Sequence, residues 1–256
     1  MAALTIHQIP VLADNYCYLL HDAATGVTAV IDPAEAAPIL AELEKTGWTL
    51  GHILNTHYHG DHTGGNLALK AATGATVAGP AGESAKIPGI DVALGEGDTY
   101  AVGVAVASIT EVPGHTGGHI AFYFAESNAL FSGDSLFALG CGRVFEGTGP
   151  QMWQSLDKLR HLPAETLVYC GHEYTESNAR FAVTIEPENA ALADRVVGIK
   201  ATRAAGRWTV PSLMADELAT NPFLRADRPE LQAAIGMAGR PAAEVFTEIR
   251  RRKDVF

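Results

Sequence analysis

Six short apolar runs punctuate the sequence up to about residue 172, and most of them stop at glycine, aspartate or histidine. They are CYLL (17–20), TAVIDP (28–33), HILNTH (52–57), HIAFYF (119–124), ALFSGD (129–134) and TLVYCGH (166–172). Runs of this length bounded by turn residues have the pattern of buried strands. Helical patterns lie between some of them. AEAAPILAELEKTG repeats its apolar residues at helical spacing and stops at Gly47. PQMWQSLDKLRHLP opens with Pro150, suited to a first helical turn, and closes before Pro163. Such alternation predicts an α+β chain in which helices cover sheet layers. Beyond residue 173 the texture changes: segments 175–185, 188–205, 211–219 and 241–253 read as helices, with no convincing strand. The expected organisation is therefore a domain over 1–172 followed by a smaller α-helical domain over 173–256.

Length allows both, since 256 residues can bury a substantial core. The chain is 47% hydrophobic and 18% charged, as folded globular proteins are. No apolar stretch approaches the roughly 18 to 20 residues that cross a bilayer, so no membrane partner is expected. The start, MAALTIHQIPVLADNY, lacks a basic region and a long apolar segment, which points to the cytoplasm. Three cysteines in no paired spacing suit a reducing compartment. A net charge of −11 disfavours nucleic acid, whose phosphates require positive charge. The basic exception is EIRRRKDVF at residues 248–256.

The chemistry concentrates in LNTHYHGDHTGG (54–65), where His57, His59, Asp61 and His62 crowd into one turn. If HILNTH is a strand, this turn emerges at its end, and a rigid sheet can hold its side chains convergent. Glycines at 60, 64 and 65 are expected to permit the tight backbone. His115, Asp134 and His172 each follow an apolar run beside glycine. Imidazole and carboxylate suit zinc, iron or manganese, and no thiolate cluster is present. His57, His59 and His115 fit one ion, Asp61, His62 and His172 a second, and Asp134 can bridge them. This set exceeds what one ion needs, which favours a catalytic over a structural centre. Isolated His7, His21, His52 and His161 read as surface or packing residues. His119 lies nearer the site, where it has the choice of orienting a ligand or packing, and packing is the expected role.

THYHGDH, with His115, Asp134 and His172, resembles the signature of the metallo-β-lactamase superfamily. That resemblance covers residues 1 to about 172 and implies an αββα sandwich with a dinuclear site at the sheet edge. CGRVFEGT (141–148), GHEYTESNARF (171–181), NPFLR (221–225) and RRRKD (250–254) resemble the hydroxyacylglutathione hydrolases, or glyoxalase II, which extends the likeness over nearly the whole chain. It implies that Arg143, Phe145, Tyr174, Arg250 and Lys253 hold glutathione. Phe145 stands where the family often has Tyr, and Arg143 where it often has Lys. Cations are well suited to the two carboxylates of a glutathione thioester.

The implied reaction is hydrolysis of S-D-lactoylglutathione to D-lactate and glutathione by hydroxide generated at two divalent ions, the second step of methylglyoxal detoxification. Zinc is expected first, with iron and manganese compatible. Asp61 is expected as a ligand that also accepts a proton, and Asp32 as an orienter of a ligand histidine. Cys141 and Cys170 are expected to pack rather than react. The protein is expected to be a monomer. The alternative is a glutathione persulfide dioxygenase, which would use one iron and three of the seven ligands, or another hydrolase of the same fold such as a lactonase, β-lactamase or nuclease. A non-enzymatic metal-binding module is the remaining rival.

Overall fold

The computed structural model describes residues 3–256; the first two positions of the stretch read for a signal lie outside the described residues. The chain divides into two compact units. One runs to Glu111 and adds Gly117–Gly133, and the other takes Val112–Thr116 and Asp134–Phe256.

In the first unit β1 (Thr5–Val11) and β2 (Asn15–Asp22) form an antiparallel hairpin, and β2 pairs antiparallel with β3 (Val27–Ile31). From β3 onward the pairing is parallel, through β4 (Thr49–Leu54), β5 (Thr76–Pro80) and β6 (Val92–Leu94). Parallel neighbours need crossover connections. These contain α1 (Ala36–Thr46) between β3 and β4, then α2 (Gly60–Thr63) and α3 (Asn66–Thr73) between β4 and β5. Val30, Ile53 and Val77, from three adjacent strands, pack with Ile39 and Leu43 of α1 and Leu69 of α3 in one core cluster. Burying each such side chain contributes about 1.5 to 3 kcal/mol. The same unit holds an antiparallel meander of β7 (Thr99–Val102), β8 (Ala105–Glu111), β9 (Ile120–Phe124) and β10 (Ala129–Gly133).

Parallel pairing places the carboxyl ends of β3, β4 and β5 on one edge, where open α/β sheets bind their ligands. Asp32 follows β3, the His57–His62 turn follows β4, and a 3-10 turn over Ala81–Lys86 follows β5. The strand expected over 52–57 stops at Leu54, and the turn folds into the short helix α2, which the sequence pattern did not announce.

The second unit contains the hairpin β11 (Leu136–Phe137) and β12 (Gly140–Cys141), followed by α4 (Gly149–Leu159) and β13 (Leu167–Cys170). α4 opens on a reciprocal cap between Thr148 and Gln151, with proline in its first turn as expected. After these come α5 (Thr175–Ile185), α6 (Ala190–Ala204), β14 (Ser212–Leu213), α7 (Met214–Thr220), α8 (Pro229–Ala234) and α9 (Ala242–Asp254). The reading of no strand after residue 173 is corrected by β14, which pairs antiparallel with β13. Two residues beside a proline are too short to carry a period-2 pattern.

A buried polar network fixes the β11–β12 hairpin. Glu217, fully buried on α7, pairs with Arg195 of α6 and accepts the Leu139 N–H at 2.9 Å and the Asn221 Nδ2 at 2.9 Å. Asn221 also donates to the carbonyls of Phe137 and Gly140, while Asn178 donates to that of Ala138. Leu139 is held at φ 57°, a conformation uncommon for leucine. Glu217→Ala removes the anion and leaves Arg195 and the Leu139 N–H without it. Chemical denaturation should show a loss on the order of 3 to 5 kcal/mol; a loss below about 1 kcal/mol would contradict this role.

Candidate active site

One carboxylate organises the candidate ligands of the first unit. Asp32 Oδ1 accepts the Thr56 N–H at 2.8 Å, and its Oδ2 accepts the Thr56 hydroxyl at 2.7 Å. Having donated its only proton, the Thr56 hydroxyl can only accept from His57 Nδ1, 3.0 Å away. His57 therefore carries its proton on Nδ1 and presents a lone pair at Nε2. His62 Nδ1 lies 3.1 Å from the same Asp32 Oδ2, which fixes His62 in the same tautomer. Asp32, His57 and His62 are all buried, and each brings a ligand-type atom within 4.8 Å of the others. Asp32 thus orients two histidines, His62 directly and His57 through Thr56.

The rest of the turn is held by its neighbours. His57 Nε2 lies 3.0 Å from His59 Nδ1, and His62 Nε2 lies 3.6 Å from Asp61 Oδ2. Asn15 donates to Asp61 Oδ2 at 3.0 Å and to the Asp61 carbonyl at 3.2 Å. Asn55 donates to the His62 carbonyl at 3.0 Å. The ring of His119 stacks on His57 with centroids 4.7 Å apart, so His119 packs as expected. The expectation for the glycines changes in part. A Cβ at Gly64 would fall 2.6 Å from the Ala34 carbonyl oxygen, and one at Gly65 2.8 Å from that of Pro33; at Gly60 it would meet nothing. Close passage against the Asp32–Glu35 loop explains glycine at 64 and 65. Nothing in the structure explains it at 60.

In the second unit Asp134, His115 and His172 are buried together. Asp134 Oδ2 lies 3.4 Å from His115 Nε2 and 3.3 Å from His172 Nε2. His115 Nδ1 donates to the Arg143 carbonyl at 2.9 Å, so in the neutral imidazole the Nε2 lone pair is turned towards the carboxylate. A lone pair and an anion facing each other in a buried site are compatible when a cation lies between them. The donor set fits a metal on these grounds.

The same unit holds the residues expected to contact substrate. The Phe145 ring packs on His115 at 5.2 Å and is largely exposed. Tyr174 stacks on His172 at 4.7 Å, with the rings 6° from parallel. The Arg143 side chain is exposed, its Nε 3.9 Å from Asp254 Oδ1. Arg250 is buried; it donates to the Cys141 carbonyl at 3.0 Å and to Asp254 at 2.9 Å, so it also anchors the turn that carries Arg143. Lys253 Nζ donates to the Ser177 carbonyl at 3.3 Å and lies against the Phe181 ring. Burial, reinforced by the positive charges of Arg250 and Arg180, pulls its pKa down to about 8.

The thiols are unsuited to nucleophilic work. Burial pushes Cys141 up to about 11 and Cys170 up to about 12, so both stay protonated at neutral pH. Sequence reasoning missed Thr56, Asn15 and Asn55, which hold candidate ligand side chains or their backbone. A lone Asn or Thr carries no metal spacing, and Asn15 lies far from Asp61 in the chain.

Comparison with known proteins agrees with this geometry. Residues 12–172 match the metallo-β-lactamase superfamily, and residues 173–256 match the hydroxyacylglutathione hydrolase C-terminus. A hydroxyacylglutathione hydrolase of Methylococcus capsulatus is 62% identical over 253 residues, covering 99% of both chains. ETHE1 from Myxococcus xanthus shares the fold with a TM-score of 0.70 and 28% identity, over 96% of this chain and 90% of that one. TTHA1623, solved in a di-iron-bound form, gives a TM-score of 0.55 at 30% identity, over 64% of this chain and 90% of that one. With this fold, the histidine and aspartate clusters fit a dinuclear metal site. From its metal-ligand turn to its carboxyl-terminal helices, the chain belongs to the hydroxyacylglutathione hydrolase family of the metallo-β-lactamase superfamily.

Proposed function

We propose that this metal-dependent hydrolase cleaves S-D-lactoylglutathione to D-lactate and glutathione. The observation that carries the reading is the family match over the whole chain, and it is supported by a second unit in which Asp134 faces His115 and His172 and the rings of Phe145 and Tyr174 pack on those histidines. His57, His59 and His115 are assigned to one ion, Asp61, His62 and His172 to the other, and Asp134 to both. Zinc is the proposed metal. When bound, two such ions lower the pKa of a shared water towards neutrality and polarise the thioester carbonyl.

Each residue then has a definite task. Asp32 keeps the His57 and His62 lone pairs available at Nε2. Asn15 holds the Asp61 carboxylate in place by donating to Oδ2, and Asp61 both binds and accepts a proton. Arg143 and Lys253 meet the glutathione carboxylates, with Arg250 adding charge and holding the Cys141 turn. Phe145 and Tyr174 supply apolar contact. The leaving thiolate is a weak base and needs no general acid from the chain. Residues 1–172 form the hydrolytic domain in this scheme, and 173–256 the helical domain that completes the glutathione site. The proposed setting is a cytoplasmic monomer; among the described residues no helix is long and apolar enough to cross a membrane. The persulfide dioxygenase alternative is disfavoured by the match of residues 173–256 to the hydrolase carboxyl terminus.

The direct test compares S-D-lactoylglutathione with a coenzyme A thioester, before and after chelation. Preferred, chelator-sensitive cleavage of the glutathione thioester is expected, and equal turnover of both would contradict the glutathione assignment. Asp134→Ala should lose at least one metal and nearly all activity, whereas an active, fully metallated variant would refute the bridging role. For Lys253, whose folded pKa lies below its usual value, positive charge is present below about pH 8 and lost above it. KM should accordingly rise between pH 7 and 9 with kcat little changed. Lys253→Ala should raise KM roughly fivefold at pH 7, the worth of about 1 kcal/mol for a partly exposed ion pair, and should abolish that pH step. A fall in kcat alone would remove Lys253 from the glutathione site.

A further inference from the structure

The carboxyl end of β5 runs into the 3-10 turn Ala81–Lys86, whose acid, Glu83, is buried. Glutamates are seldom buried unless their oxygens are fully engaged. Glu83 Oε2 accepts the Tyr58 N–H at 3.1 Å, and Oε1 accepts the Gly118 N–H at 2.8 Å. Side chains three apart share one side of a 3-10 turn, and Lys86 accordingly sits over the Tyr58 ring, 4.0 Å from its centre. One short turn therefore grips residue 58 by both its backbone and its ring.

The two segments joined by this carboxylate are not arbitrary. Tyr58 separates His57 from His59, and Gly118 precedes His119, whose ring stacks on His57 with the planes 16° apart. Packing at the junction is tight. A Cβ on Gly118 would fall 2.7 Å from Glu83 Cγ and 3.0 Å from the Gly82 carbonyl carbon. The loop and the turn thus meet through backbone, with little freedom to slide. A neutral apolar side chain would fill the same space but would leave two part-buried N–H groups without this acceptor.

We propose that Glu83 is a positioning residue for the His57 and His59 imidazoles, acting through the Tyr58 and Gly118 backbone to set the affinity of that site for a divalent cation. The proposal rests on reading His57 and His59 as metal ligands. Glu83 touches neither metal nor substrate; it fixes the backbone from which the two rings project, and a ring freed to swing binds the ion less tightly.

Glu83→Gln tests it, because the amide keeps the volume and one acceptor but turns a donor towards a backbone N–H. Metal-stripped protein is titrated with Co(II), read by its visible absorption. Affinity should fall roughly 10- to 100-fold, the range for groups that orient ligands. KM for the glutathione thioester should stay within about twofold, and kcat should recover as Co(II) is raised. Glu83→Asp, which keeps the charge but shortens the reach, should lose less and serves if the first variant fails to fold. Unchanged Co(II) affinity in a folded Glu83→Gln, or loss of the fold in both variants, overturns the positioning role. His59→Ala, titrated alongside, separates the two readings: unchanged affinity there overturns the ligand assignment itself, whereas a loss there with none in Glu83→Gln overturns only the role of Glu83.

Discussion

A buried carboxylate that holds one imidazole directly and a second through Thr56 is the interaction on which the His57–His62 turn depends. Asp32 stands just past β3, at φ 48°, and takes in the Thr56 N–H, the Thr56 hydroxyl and His62 Nδ1. Imidazole can present either nitrogen, and an unrestrained histidine would divide itself between two tautomers. Here the choice is made for both His57 and His62 before any ligand arrives. The parallel sheet makes this possible, because β3 and β4 run side by side and end together. Sheet topology, tautomer and metal affinity are thus links of one chain.

Asp134 shows the complementary use of a carboxylate. It faces the Nε2 atoms of two imidazoles, and one of these, His115, donates from its other nitrogen, Nδ1, to the Arg143 carbonyl. That same carbonyl belongs to the turn anchored by Arg250, so the backbone that carries Arg143 also orients His115. The hairpin before it is fixed by Glu217 and Asn221. Much of the second unit's buried polarity serves to hold residues 134–143 in one conformation, and Asn221 of NPFLR takes its meaning from that contact.

The family was legible because its chemistry sits in contiguous words: three histidines and an aspartate in one turn, then GHEY and RRRKD. The strands of continuous apolar character, such as β3, β9 and β10, were legible for the same local reason. β1 and β8 were not, since they mix exposed with buried residues along their length. α2 is a single turn and carries no period. The residues that hold the ligands were the hardest to see. Asn15, Thr56 and Glu83 act through single hydrogen-bonding groups brought in from elsewhere in the chain, and AGESAK reads as an ordinary solvated turn until its fold buries the acid. Only Asp32 was anticipated, because it shares the strand-end position of the ligands.

The central claim is that this arrangement of histidines and aspartates exists to hold a pair of transition-metal ions. Elemental analysis of purified, catalytically active protein, normalised to chain concentration, measures that most directly. The account predicts close to two bound ions per chain. Full activity with no bound transition metal would contradict it.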